Sequence, residues 1–231
     1  MSLLTIVQAA SKRVGLNSPA SAIGLTDDNV VRMISLANEE GAELASRHRW
    51  QNLIREATLT TVATESQGAI TTIAGADFGY MLHDTIWDRT QNRRWLPCDD
   101  TQWQQMKASS ITGPDIHFRL RGNSLLAIPV PAASHTVAFE WVTKNWCESS
   151  GGTGQSAWAA DADVGRLDES LMTAGLIWRW KASQGLEYAE DFRKYEILVN
   201  DTIARDGVKG HIYMNGRRSG RTNVPEGSWV L

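Results

Sequence analysis

Five histidines, two cysteines and scattered carboxylates are the groups in this chain whose chemistry could be put to work. His48, His83, His117, His135 and His211 stand far apart, and none falls into the H-x-x-x-H or H-E-x-x-H spacing that sets two imidazoles on one helical face around a metal. Cys98 and Cys147 cannot supply a four-thiolate zinc site or a disulfide framework, so a reducing compartment is the default. Either thiol becomes a nucleophile only where a fold brings a histidine to it. Asp161-Ala162-Asp163-Val164-Gly165 opens like a calcium loop, but glycine stands where the third oxygen ligand belongs, and helix capping is the expected use of these acids. Gly151-Gly152-Thr153-Gly154 lacks the Lys-Ser/Thr of a phosphate-binding loop and reads as a linker, and no serine sits in a G-x-S-x-G elbow. Glu140 beside Trp141 raises carboxylate chemistry on sugars. Its alternation with Phe139 and Trp141 is also what an exposed polar position on a strand shows.

The elements around these groups follow from composition and period. With 231 residues, 42% hydrophobic and 21% charged, the chain has enough interior for a real core and is not a disordered sequence. A net charge of −3 excludes a generally basic nucleic-acid binder, although a local basic patch stays possible. Leu3 to Ala10 is followed, not led, by Lys12 and Arg13, which makes it a poor signal peptide, and no apolar run approaches membrane-spanning length. Ten of the aromatics are tryptophan, and such rings serve cores, sugar platforms or protein interfaces.

Leu3, Val7, Ala10 and Val14 form a helical stripe that stops at Gly15. Thr26, followed by Asp27 and Asp28, marks a second helix lasting to about Trp50. Its apolar face runs through Val30, Met33, Ile34, Ala37, Gly41, Leu44, Ala45 and His48, with Glu39, Glu40 and Glu43 on other faces. From Ala57 the period changes. Thr58–Val62 and Ile70–Ile73 read as strands, Leu82–Arg89 as a helical turn, Arg94–Cys98 as a strand and Asp100–Ser109 as a short helix capped by Asp100 or Thr101. Ile116–Arg121 alternates with period two, turns at Gly122-Asn123 and returns through Ser124–Pro129; His135–Trp146 is a further strand. Asp161, Asp163 and Asp168 lead into the longest periodic segment, which is apolar on more than one side. As one helix, 167–205 would extend roughly 58 Å, so it either breaks near Gly185 or projects into an assembly. The last residues, 207–231, are broken by glycines yet hold Ile212, Tyr213, Met214, Trp229, Val230 and Leu231, with a net +3 from Lys209, Arg217, Arg218 and Arg221 against Glu226.

The expected fold is therefore α+β: a helical body (1–56 and 160–206), an inserted antiparallel β module (57–147), a linker (148–159) and an extended C-terminal arm (207–231).

Three stretches carry a family resemblance. Asp168-Glu169-Ser170-Leu171, with Gly175-Leu176-Ile177-Trp178-Arg179-Trp180-Lys181 and Gly185–Phe192, resembles the head-to-tail adaptor proteins of tailed bacteriophages. So do the strands Arg119–Leu126, Ile128–Ala132 and His135–Val142, and the early helix Leu36–Trp50. Together these cover most of residues 26–206. The resemblance implies a structural virion protein at the head-tail junction, made in the host cytoplasm, with no turnover chemistry, no cofactor and no membrane contact. It implies a ring, commonly of twelve copies, that docks beneath the portal protein, extends the DNA channel, retains packaged double-stranded DNA and offers a platform to a downstream tail or nozzle protein.

In that setting the arm residues Ile212, Tyr213, Met214, Arg217, Arg218, Arg221 and Trp229 are expected to bind the portal. Leu176, Trp178, Trp180, Tyr188 and Phe192 are expected between subunits, because a helix apolar on several sides needs a neighbour as well as its own domain. An acidic chain also suits a channel through which DNA slides. Two competing expectations stand: a tryptophan-rich carbohydrate-binding or glycoside-cleaving module, which requires exposed rings flanking a groove, and an isolated nucleic-acid binder using Arg217, Arg218 and Arg221, which requires strongly salt-dependent affinity.

Overall fold

The first stripe becomes helix α1 (Leu3–Val14) because both its ends are satisfied locally: the Ser2 hydroxyl accepts from the Thr5 N–H, and Gly15 closes the helix at φ 80°. Helix α2 (Asp28–Arg47) starts one residue later than expected, since the Asp27 carboxylate, not Thr26, accepts from the N–H groups of Asn29 and Val30. The computed structural model describes residues 2–109 and 113–207. They are mixed α+β and divide into two units, residues 2–53 with 144–207, and residues 54–143.

After α2 the chain runs through β1 (Ile54–Thr60), β2 (Ser66–Ala69), α3 (Ile70–Ala74), β3 (Phe78–Met81), β4 (Trp87–Asp88), β5 (Arg93–Arg94) and β6 (Leu96–Pro97). Helix α4 (Asp100–Ala108) precedes β7 (His117–Arg121), β8 (Ser124–Ile128) and β9 (Thr136–Thr143). The return to the helical unit carries β10 (Cys147–Glu148), β11 (Gly154–Gln155) and β12 (Val164–Gly165), then α5 (Glu169–Ser183) and α6 (Ala189–Arg205).

In the β unit, β9 is the central strand. It pairs antiparallel with β1 from Ile54↔Val142 to Thr60↔Thr136, and also with β3 and β4, while β5 pairs with β4. A second sheet runs β2-β8-β7-β6. The β7–β8 hairpin turns through Gly122 and Asn123 at φ 54° and 65°, the pair of left-handed residues that matches the twist of the flanking strands. Ala57, Leu59, Ile86, Trp95, Phe118, Leu125, Val137, Phe139 and Trp141 fill the core. Ile70–Ile73, expected as a strand, is instead the helical turn α3, in which Ile70 drops into that core and the Gly75 N–H closes the turn on the Thr71 carbonyl. Leu82–Arg89 holds a 3-10 turn at His83–Thr85 and then β4, and the Arg94–Cys98 stretch is split between β5 and β6. The cap of α4 is Asp99, whose side chain accepts from the Gln102 N–H.

In the helical unit α5 packs against α1, α2 and α6. The breadth of its apolar surface is thus accounted for largely by three helices of its own chain. Of the two alternatives for residues 167–205, the chain takes the break near Gly185: α5 ends in a Schellman turn, with Gly185 at φ 68°, its N–H on the Ala182 carbonyl and the Leu186 N–H on the Lys181 carbonyl, and α6 starts afresh. The expected linker is built structure. Strands β11, β10 and β12 form a small sheet, the Trp158 ring is buried edge-on against Trp146 at 5.2 Å, and the Trp158 backbone N–H donates to Asn38 Oδ1. Asp161 and Asp163 do not cap a helix: Asp161 accepts from Ser21 and from the N–H groups of Ala22 and Ile23, and Asp163 accepts from Ala159 and Ala160. The helix cap is Asp168. Among the described residues no helix is long and apolar enough to cross a membrane.

Candidate functional site

The α5–α6 turn gathers four aromatic side chains, of which Tyr188 and Phe192 are open to solvent. Trp178 on α5 is half-buried, and around it stand Phe192 at 5.0 Å between ring centroids, Tyr195 at 6.0 Å and Tyr188 at 6.4 Å. Tyr188 and Phe192 are 43% and 37% exposed and Leu186 is 53% exposed, so this turn presents apolar side chains to solvent. Arg179 lays its guanidinium 4.7 Å over the Trp178 ring, so a cation edges the cluster.

What holds this face in place is a buried polar network beneath it. Glu40 is fully buried on α2. It receives Arg179 Nε at 2.7 Å on Oε2 and the Tyr195 hydroxyl at 2.5 Å on Oε1, which ties α2 to α5 and α6 at one carboxylate. Arg179 also pairs with Glu43, and Arg47 joins Glu43 at 2.5 Å to Glu196 at 2.6 Å. Burial pushes the Glu40 carboxyl up, against the pull of Arg179 and Tyr195. Burial also acts upward on Glu43, but the hydrogen bonds from Arg47 and Arg179 outweigh it and hold that group below the usual range. Gly175 lets the helices meet here, since a Cβ at that position would overlap the Glu40 carboxyl carbon.

A groove of about 630 Å³ lies in the same unit, lined by Arg13 of α1, by Glu169, Thr173 and Ile177 of α5, and by Lys194 and Leu198 of α6. Its mix of apolar floor and charges of both signs can seat a protein segment; nothing in it pairs a nucleophile with a base.

The residues expected between subunits divide in two. Trp178, Tyr188 and Phe192 come together on the open face. Leu176 and Trp180 do not: both are buried inside the unit, at 0% and 4% exposure, so they serve its own core. The arm residues Ile212, Tyr213, Met214, Arg217, Arg218, Arg221 and Trp229 lie outside the described residues, as does His211.

The other candidates for chemistry are held apart. Cys147 is buried, its thiol donating to the Gln155 carbonyl, and burial with Asp163 nearby pushes it up to about 12. Cys98 sits beside Asp99 in the other unit, and burial raises it too. His48 approaches Asp206 at 3.3 Å and His135 approaches Asp88 at 2.9 Å. Glu140 is exposed, directly across from Glu56 on β1. Among the described residues no group of three His, Cys, Asp or Glu could hold a metal ion. Among the described tryptophans, Trp50, Trp95, Trp103, Trp141, Trp146, Trp158 and Trp180 are buried, and Trp87 and Trp178 half-buried. The Glu40 network was invisible in the sequence, where a glutamate off the apolar stripe reads as solvated. No family model matches this chain, and no curated protein matches it.

Proposed function

We propose that this chain is a structural virion protein of the head-to-tail adaptor type, a ring subunit that seats beneath the portal protein, extends the DNA channel, retains packaged DNA and offers a docking platform to the tail. The observation that carries this reading is the aromatic face of Trp178, Tyr188 and Phe192 with Leu186, on the same 168–192 segment that resembles the family. Interfaces draw their energy from such clusters of aromatics edged by arginine, and a second copy of the chain is the partner that closes a ring. The rigid network at Glu40 supports it further, because a docking face has to be presented in one geometry. The C-terminal residues 207–231, with apolar anchors and a net +3, are assigned to the portal.

Mass measurement of the purified chain, alone and mixed with a portal protein, tests the reading. A large closed oligomer or a tight portal complex is expected, and an inert monomer under both conditions overturns it. Deleting 207–231 is expected to weaken portal attachment with the folded units intact; unchanged attachment removes the arm from the proposal.

A further inference from the structure

The β unit holds a cleft of about 300 Å³ that the adaptor reading does not use. Its walls include Gln91, Arg93, Arg94, Asp115 and His135, with Asp88 behind the histidine and short apolar surfaces from Trp95, Ile116 and Ala132. The size suits a single sugar-sized ring.

The polar groups of this cleft are prepared to different degrees. Asp88 is 1% exposed and its acceptor capacity is spent: Oδ1 takes the N–H groups of Thr90 and Gln91 at 2.9 and 3.0 Å, and Oδ2 meets His135 Nδ1 at 2.9 Å. With Nδ1 so engaged, Nε2 is the ring nitrogen left for an occupant. The His135 backbone is pinned as well, its N–H donating to Thr61 Oγ1 and its carbonyl accepting from the Thr61 N–H. The imidazole is therefore oriented before anything binds.

Two arginines in the same walls make no ion pair among the described residues. Arg93 lies across from Asp88 in the β4–β5 register and makes one long hydrogen bond, Nη1 to the Pro114 carbonyl at 3.5 Å. Arg94 follows it in the same lining and is half-buried. By contrast the half-buried Arg119, Arg166 and Arg179 all hold carboxylates. Asp115 and Gln91 add acceptors at the exposed side.

We infer that this cleft binds a hydroxylated carboxylate of the sugar-acid class. Arg93 takes the carboxylate, which a guanidinium matches in charge and planar geometry. His135 Nε2 reaches a ring or hydroxyl oxygen, and Asp115 and Gln91 accept from hydroxyls. A bare oxyanion leaves Asp115 facing like charge, and a neutral sugar leaves Arg93 without a partner. The recognition works through hydrogen bonds in a cleft, not through stacking on exposed rings, and it stands whether or not the chain forms a ring.

Saturation-transfer NMR with titration of glucuronate, glucose, acetate and inorganic phosphate tests it on the full chain. Glucuronate is expected to bind saturably and at least about tenfold more tightly than each of the other three, and Arg93→Gln to weaken it by about tenfold or more. Arg121→Gln, an exposed arginine elsewhere in the same unit, is expected to leave binding unchanged. Absence of saturable glucuronate binding, equal binding of acetate or phosphate, no effect of Arg93→Gln, or an equal loss in Arg121→Gln each overturns the inference. Arg93 is exposed, so its variant is checkable for unchanged thermal unfolding; Arg94→Gln, which removes the second arginine charge of the same walls, is expected to weaken binding as well, and absence of an effect in either variant overturns the inference.

Discussion

The Tyr195 hydroxyl donates to Glu40 Oε1 at 2.5 Å although 155 positions of chain separate the two residues. This one contact joins the second and last helices of the helical unit, and Arg179 occupies the other oxygen of the same carboxylate. Helix α6 leans on it heavily, for Tyr195 and Val199 are its only buried residues. Glu40→Ala removes the carboxylate and leaves the Arg179 charge in poor solvent. The expected loss is about 3–5 kcal/mol, read as the denaturant midpoint at constant m-value. Tyr195→Phe, which deletes one donor only, is expected to cost about 1–2 kcal/mol.

The close approach beside that network sets a second expectation. Gly175→Ala drives a methyl into the Glu40 carboxyl, and Gly41→Ala drives one into the Trp146 ring, both fully or nearly fully buried neighbours. Each is expected to destabilise by about 1–3 kcal/mol through overpacking, despite alanine's better helix propensity. Thermal unfolding of the two variants checks this, and a stabilised variant contradicts the packing described.

Thiol labelling separates the cysteines. Cys147 is fully buried, with its thiol pushed up to about 12, whereas Cys98 is partly accessible. At mildly alkaline pH a disulfide-exchange reagent is expected to modify Cys98 first and Cys147 only after unfolding.

The same thiol predicts a pH dependence with a definite sign. In the unfolded chain Cys147 ionises near its ordinary value of 9.0, while in the folded chain burial holds its proton up to about 12. Between these values the native state binds more protons, so stability falls as pH rises through this window. Burial and Glu40 push Tyr195 upward as well, which adds to the fall. Cys147→Ser is expected to flatten the loss between pH 9.0 and about 12 relative to the parent chain, measured as unfolding midpoint against pH.

Tyr188→Ser and Phe192→Ser change the exposed face without touching the buried network. Unfolding midpoints are expected within about 0.5 kcal/mol of the parent, as for surface changes generally, while self-association or portal binding falls. A variant that keeps full assembly shows that the ring contact lies elsewhere.

The elements that read correctly from the residues are those whose causes are local. Gly15 ends α1, the Thr26-Asp27-Asp28 run marks the start of α2 to within one residue, and Gly122-Asn123 turns the β7–β8 hairpin, because capping and left-handed backbone depend on a few consecutive positions. Trp178, Tyr188 and Phe192 come together for a similar reason, since they lie close in sequence on α5, α6 and the turn between them. Leu176 and Trp180 were misplaced because the facing of a helix that is apolar all round is set by what packs on it, and α1, α2 and α6 supply that cover. Residues 148–159 looked like a linker, yet β11 pairs with β10 and Trp158 finds its partner Asn38 far along the chain. Sequence alone thus determined the mixed α+β character, the α1 stop at Gly15 and the hairpin turn. Tertiary structure alone decided that Glu40 is interior and that His135 is held by Asp88, because the cost of burying a polar group is lifted by a partner, and no period along the chain records where that partner will come from.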